Sequence, residues 1–177
     1  SERERERESI DFVITGGTID SFYNGVKDPA MPLPHSCIPA YIQSLQLYVK
    51  ATFTEVCMKD SRSLTKQDIT NVLKTIEKSS CKRIIITHGT YTMPDTARYL
   101  KANLTREDQT IILTGSMIPI TGFSPSDAGF NLGFALAKAL ELPSGIYVAM
   151  NGKIFSPEEV SKFISEGRFI SIFNKGK

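Results

Sequence analysis

Three stretches of this chain close in the same manner, and that pattern restricts the folds open to it. Ile84-Ile85-Ile86 runs into Thr87-His88-Gly89-Thr90, and Ile10-Asp11-Phe12-Val13-Ile14 runs into Thr15-Gly16-Gly17-Thr18. Thr110-Ile111-Ile112-Leu113 likewise gives way to Thr114-Gly115-Ser116-Met117. An unbroken apolar run is the mark of a parallel strand covered on both faces. In open α/β sheets the functional groups sit just past the carboxyl ends of such strands. Three strands that each end in Thr, Ser and Gly therefore predict one shared polar site.

Helical patterns separate the strands. A strand is expected over 9–15, a helix over 37–47, a strand over 48–57 and a helix over 66–78. The last carries Ile69, Val72, Leu73 and Ile76 on its apolar face. Thr65-Lys66-Gln67-Asp68 reads as a capping box, in which the Thr hydroxyl accepts from the backbone three residues on while the acid reaches back. Thr92-Met93-Pro94-Asp95 repeats it, with Pro early in the helix where no amide donor is needed. Ser124-Pro125-Ser126-Asp127 is read as the cap of a helix ending near Leu140, and Ser156-Pro157-Glu158-Glu159 as the cap of a last short one. Strands are expected over 110–115 and 144–150, with an edge strand or tail over 169–173. Regular alternation of strand and helix predicts an α/β fold, a three-layer doubly wound parallel sheet of the Rossmann or flavodoxin kind. Residues 9–177 form one domain in this reading, behind an alternating acid–base tail over 1–8. Residues 19–36 are rich in Gly and Pro and are expected to form a loop that acts as a lid.

Composition excludes several function classes. A formal net charge of +2 and the lack of a basic patch give no basis for a nucleic acid partner. No apolar run approaches a membrane span. The first eight residues are unlike a secretory signal, so a cytoplasmic setting is expected. Cys37, Cys57 and Cys81 are widely spaced and odd in number, which favours reduced, buried thiols over disulfides or a metal site. No metal or cofactor is expected.

Gly16-Gly17-Thr18 lacks the spacing of a dinucleotide fingerprint and the Gly-Lys-Ser/Thr of a phosphate loop. Its paired glycines let backbone amides approach a ligand closely, as an oxyanion site requires. Helix capping accounts for Thr65 and Thr92 but not for Thr18 or Thr90, which leaves those two as the functional hydroxyls. A Thr hydroxyl needs a neighbouring base to become a nucleophile. A lysine with a depressed pKa would serve, and spacing alone does not say which. His88 is expected to pack under the site rather than act as a base. A Gly-x-Ser-x-Gly elbow is absent, which argues against an α/β-hydrolase triad.

The motifs resemble those of the bacterial-type L-asparaginases. Thr15-Gly16-Gly17-Thr18-Ile19 is similar to the first signature of that family. Thr87-His88-Gly89-Thr90-Tyr91-Thr92-Met93 is similar to the second, His-Gly-Thr-Asp-Thr-Met, and lies roughly seventy residues on. Leu113-Thr114-Gly115-Ser116-Met117-Ile118-Pro119 resembles the family's Gly-Ala-Met-Arg-Pro segment, and Met150-Asn151 with Val160-Ser161-Lys162 resembles its Met-Asn and Val-Thr-Lys pair. The similarity runs from residue 9 to about 165. It implies an amidohydrolase fold resembling the N-terminal domain of those enzymes, which hydrolyse asparagine to aspartate and ammonia without a cofactor. Carried over by position, Thr18 is the nucleophile, Tyr23 assists it, and Thr90 pairs with Lys162. Ser61 and Arg62 would hold the substrate's α-groups, with Gly17, Gly89, Tyr91 and Ser116 completing the substrate-binding set. The family analogy also implies a homodimer or larger oligomer.

The chain departs from the family twice. It ends before the smaller second domain, and so resembles a short, single-domain branch. Tyr91 stands where the family has an aspartate. A phenol, with a pKa near 10, is neutral at pH 7 and does not replace that charge. Two alternatives to asparagine hydrolysis arise, a hydrolase of a different amide and a non-catalytic protein that binds an amino acid or metabolite.

Overall fold

The structure is a computed structural model that describes residues 8–26 and 30–174, apart from the side chains of Phe163, Ser165 and Asn174. The expected strands all form: β1 (Ser9–Gly16), β4 (Lys50–Lys59), β5 (Arg83–Thr87), β6 (Thr110–Thr114) and β7 (Gly145–Met150). They pair in parallel, and with β8 (Lys153–Phe155) the sheet order is β4-β1-β5-β6-β7-β8. Only β8 runs antiparallel, joined to β7 by a two-residue turn. Asn151 and Gly152 occupy that turn with φ of 56° and 71°, the mirror-image geometry that the Asn-Gly pair favours in hairpins.

Helices α1 (Ile38–Ser44) and α4 (Ala128–Glu141) cover one face, and α2 (Lys66–Lys78) and α3 (Met93–Asn103) cover the other. Alternation along β5 divides the core, since Ile84 and Ile86 face α2 and α3 while Ile85 faces α1 and α4. Each such fully buried Ile contributes about 2 kcal/mol relative to exposure. The parallel strands follow the flavodoxin-like order 2-1-3-4-5, in which connections leave β1 and β5 toward opposite sides of the sheet. A crevice opens between the carboxyl ends of two such strands. Thr18 and Thr90 follow those two ends.

Local expectations fared unevenly. The box at Thr65 forms as read: its Oγ accepts from Asp68 N at 3.1 Å, and Asp68 Oδ2 accepts from Thr65 N at 2.9 Å. Thr92 does occupy the N-cap of α3, but its side chain makes no capping bond. It donates instead to the Ser61 carbonyl at 3.1 Å, so a tertiary contact displaces the local one. At α4, Asp127 is the N-cap residue, and Ser126 Oγ accepts from Ala128 N. The Asp127 carboxylate accepts from the amides of Met117 and Ile118 and so fixes the loop after β6.

The described residues of the region expected to be a lid carry regular structure. A short 3-10 turn (Thr18–Asp20) leads into β2 (Ser21–Tyr23), which pairs with β3 (Ala30–Pro32). Asp20 is fully buried and accepts from Ser36 Oγ at 2.6 Å and Cys37 N at 2.9 Å, which ties the loop to the start of α1. Residues 1–7 of the expected tail lie outside the described residues. Glu8, by contrast, is part of the domain, accepting from Arg83 Nε at 2.7 Å.

The short helix expected after Ser156 does not form. Ser156 and Glu159 make a local turn, with Ser156 Oγ donating to the Glu159 carboxylate at 2.8 Å. The chain then enters β9 (Val160–Phe163), which pairs antiparallel with β10 (Arg168–Ser171). The capping pattern is real, but the β-branched and aromatic residues after it favour a strand.

Candidate active site

Glycines bring the strand-end loops together. Gly17 has φ of 83° and ψ of −175°, a conformation essentially confined to glycine. A Cβ on it would lie 2.4 Å from Gly89 N and 2.5 Å from Gly89 Cα. A Cβ on Gly89 would in turn lie 2.7 Å from Ser61 Cβ. The loops after β1, β5 and β4 therefore touch backbone to backbone, and the residues that follow Gly17 and Gly89 are Thr18 and Thr90. Cross-strand bonds hold the same edge, with Thr15 Oγ donating to Thr87 O at 2.8 Å and Thr114 Oγ to Ala149 O at 2.8 Å.

His88 is completely buried beneath this junction. One ring nitrogen, Nδ1, donates to the Gly89 carbonyl at 2.6 Å, which leaves Nε2 to accept from Thr96 Oγ at 2.8 Å. Burial pushes its pKa down to about 4, so the ring is neutral at physiological pH. The structural role expected for it fits these contacts. A consequence reaches the site. Carbonyl and amide of one trans peptide point opposite ways, so a Gly89 carbonyl held toward His88 turns the Thr90 N–H outward. Among the described residues, no acceptor takes up the amides of Gly89 or Thr90. Gly17 differs, since its amide donates to the Lys59 carbonyl at 2.9 Å.

Thr90 is nearly buried, and Lys162 Nζ donates to its Oγ at 2.7 Å across 72 residues of sequence. Lys162 arrives on β9, outside the main sheet. That hairpin is clasped to the domain by Arg98 Nη2 donating to Val160 O at 2.5 Å and by a Lys101–Glu158 ion pair at 2.6 Å. Asn151 Oδ1 adds a bond from Phe169 N at 2.8 Å. Sequence reasoning assigned no role to Arg98 or Asn151. The Asn151-Gly152 pair was the available signal for the second, as a hairpin turn. Desolvation lowers the Lys162 pKa, the positive charge of Arg62 lowers it further, and Asp60 partly opposes both.

Tyr91 lies against this lysine. Its ring centroid is 3.9 Å from Lys162 Nζ and 4.4 Å from Arg62 Cζ, so two cations share one aromatic ring. Cations within about 6 Å of a ring centroid are attracted by its quadrupole. The Arg62 guanidinium also meets Asp60 at two points, Nε to Oδ1 and Nη2 to Oδ2, both at 3.0 Å. That contact holds the Asp60 carboxyl below the usual carboxylate range. Asp60 is thus linked to Tyr91 through Arg62. Of the other two acids in the vicinity, Asp20 is locked in the scaffold and Asp95 is exposed.

Ser61 is buried and accepts from Thr92 N at 3.2 Å. Ser116 is buried too, but its hydroxyl donates to Ile118 O at 2.5 Å within its own loop. Thr18 is partly buried at the start of its turn, and Tyr23 on β2 is 54% exposed. A cavity of about 490 Å³ opens beside Ser61, Arg62, Leu64, Thr92 and Tyr99. A second, of about 180 Å³, lies beside Tyr91, Arg98, Ser161 and Lys162, and Thr18 lines neither. Among the described residues no group of three or more His, Cys, Asp or Glu could hold a metal. Cys81 is buried as expected. Cys37 and Cys57 are only half-buried, and burial still pushes their thiols up to about 11, which keeps them protonated.

The doubly wound sheet thus carries two threonines at its switch point, one of them bonded to a lysine. The chain belongs to the asparaginase N-terminal family, whose sequence pattern it matches over residues 9–171. It is 30% identical over 170 residues to a glutaminase-asparaginase of Acinetobacter glutaminasificans, covering 90% of this chain and 51% of that protein. Over 84 residues it is 44% identical to an L-asparaginase of Thermococcus kodakarensis, covering 48% of this chain and 25% of that one. The solved thermostable L-asparaginase from Thermococcus kodakarensis superposes with a TM-score of 0.78 at 30% identity, covering 92% of this chain and 51% of that one. A probable cytoplasmic L-asparaginase from Campylobacter jejuni gives 0.80 at 27%, covering 93% and 53%. The chain spans about half the length of the curated relatives it matches along most of its length. No helix among the described residues is long and apolar enough to cross a membrane.

Proposed function

We propose that this chain is an amidohydrolase that cleaves a linear side-chain amide of the asparagine type through Thr18. Its relatives are named for asparagine and glutamine hydrolysis, which supplies the substrate class. The observation that carries the reading is the 2.7 Å bond between Lys162 and Thr90, on a loop in backbone contact with the one that carries Thr18. In this mechanism the Thr18 hydroxyl, assisted by Tyr23, attacks the amide carbon. The C–N bond breaks, ammonia leaves with the transferred proton, and an acyl-threonine remains. Water oriented at Thr90 then hydrolyses the ester to a carboxylate and frees Thr18. A lysine with a lowered pKa is neutral more of the time than an ordinary one, and only the neutral amine accepts a proton from the Thr90 side. The Thr90 amide, turned outward by His88, is placed to stabilise the developing oxyanion. One such donor is worth about 3–4 kcal/mol in other hydrolases.

Ammonia release from L-asparagine, L-glutamine and simple aliphatic amides tests the reading. Thr18→Ala is expected to abolish release while leaving the melting temperature and circular dichroism unchanged. Wild-type turnover in that variant would remove Thr18 as nucleophile. Tyr91 favours a second reading, a binding protein without turnover, which predicts ligand-induced stabilisation and no ammonia from any amide. We place the protein in the cytoplasm, where three free cysteines persist as thiols, and in a homo-oligomer as its family analogy implies.

A further inference from the structure

We infer that the site selects an amide whose recognition group is a carboxylate, and that it disfavours a free α-ammonium. This rests on the hydrolase reading and narrows its substrate class. Four cations line the two cavities, namely Arg62, Lys66, Arg98 and Lys162, the last of them bonded to Thr90. One carboxylate, Asp95, lines both cavities, a second, Asp60, borders Arg62 without lining either, and each already has a cation. Asp60 is bound at both oxygens by Arg62, and Asp95 lies 3.6 Å from Arg98 with its side chain 73% exposed. Among the described residues, neither Lys66 nor Lys162 pairs with an acid, and Lys162 is bonded to the neutral Thr90. The lining therefore carries a positive excess.

Tyr91 sharpens the preference. Its π-face is turned to Lys162 and Arg62, so an incoming ammonium would compete with two resident cations for one ring. It would also sit beside them where the carboxylates at hand, Asp60 and Asp95, already lie against Arg62 and Arg98, and nearby like charges disfavour each other. A carboxylate meets the opposite situation. Lys162 and Lys66 are open to it, and Arg62 keeps its Nη1 donors clear of the two-point contact with Asp60. The substrate class that fits is a desamino analogue of asparagine, an ω-amide of a dicarboxylic acid.

The test compares ammonia release from succinamate, which is asparagine without its amine, with release from L-asparagine and from neutral propionamide. Wild-type kcat/KM is expected to be at least tenfold higher for succinamate than for asparagine. Raising salt from low to physiological should narrow that ratio. Tyr91→Asp should reverse the order, whereas Tyr91→Phe, which keeps the ring, should preserve it. Equal or better turnover of asparagine by the wild-type protein would overturn the inference while leaving the hydrolase reading intact. If no amide is hydrolysed, the hydrolase reading fails, and calorimetric binding decides the charge preference separately. Succinate binding at least tenfold more tightly than aspartate would then support it. Equal affinity, tighter aspartate binding, or no binding of either would overturn it.

Discussion

Replacing Gly17 by alanine tests whether the loops are held in register by the missing side chain. The structure imposes two costs. At φ 83° and ψ −175° an alanine is strained by about 1–3 kcal/mol. Its Cβ would also fall 2.4 Å from Gly89 N, where ordinary contact begins near 3.5 Å. Both partners are backbone, so no side chain can swing away, and the loops must part by about 1 Å. A displacement of that size at a catalytic constellation costs on the order of 10²-fold in rate. The strain and the forced separation together amount to roughly 3–4 kcal/mol, or about 10 °C in melting temperature for a chain of this length. Gly122→Ala is the control, because Gly122 has nearly the same φ, 81°, and nothing within 4 Å of its hypothetical Cβ. It should lose only about 1–2 kcal/mol and keep the wild-type rate. Differential scanning calorimetry and ammonia release on the two variants decide the matter. Equal melting temperatures and equal rates would show that the Gly17–Gly89 contact does not hold the site together.

His88 makes stability fall in acid. Its pKa drops from 6.5 to about 4 on folding, so the unfolded chain binds the extra proton between those values. The contribution, about 3 kcal/mol at 1.36 kcal/mol per pH unit, is fully present above pH 6.5 and lost as pH falls toward 4. Urea titrations across that window should show it, and His88→Asn should flatten the dependence; an unchanged slope would refute it. Lys162 should govern the alkaline side of catalysis. Since burial and Arg62 lower its pKa, the rising limb of kcat/KM should lie below the ordinary lysine value of 10.5. Asp60→Asn removes the opposing influence and should move that limb to lower pH, and Arg62→Gln should move it higher. Opposite movements would separate Lys162 from the rate.

The framework of the molecule was legible because its signals are local or strongly periodic. The Ile84–Ile86 run had to be a buried strand, and the Thr65–Asp68 box set the start of α2 at the observed residue. Thr92 and Ser156 were harder for physical reasons. A short polar motif proposes a turn, but later residues and neighbours across space decide whether a helix grows from it. At Thr92 the Ser61 carbonyl wins the hydroxyl. At Ser156 the turn forms, and pairing of Val160–Phe163 with Arg168–Ser171 then takes the backbone away from helix. At the site, motif resemblance selected Thr90 and Lys162, which the fold joins. It did not foresee that Asp60 would engage Arg62 or that Gly17's amide would be used within the scaffold. Both depend on distances that no linear pattern encodes.

The lysine at the site belongs to a hairpin docked on α3 and the β7–β8 turn rather than woven into the sheet. A central strand such as β5 opens only with the whole domain, whereas a two-stranded appendage opens at a fraction of that free energy. The Thr90–Lys162 bond therefore inherits the opening equilibrium of β9 and β10, not that of the core. Amide hydrogens of these strands should exchange with solvent well before those of β5 and β6. Each such opening removes the lysine while leaving the threonines in place. Contacts that touch neither threonine, Lys101 to Glu158 and Arg98 to Val160, thereby set the fraction of time the site is whole.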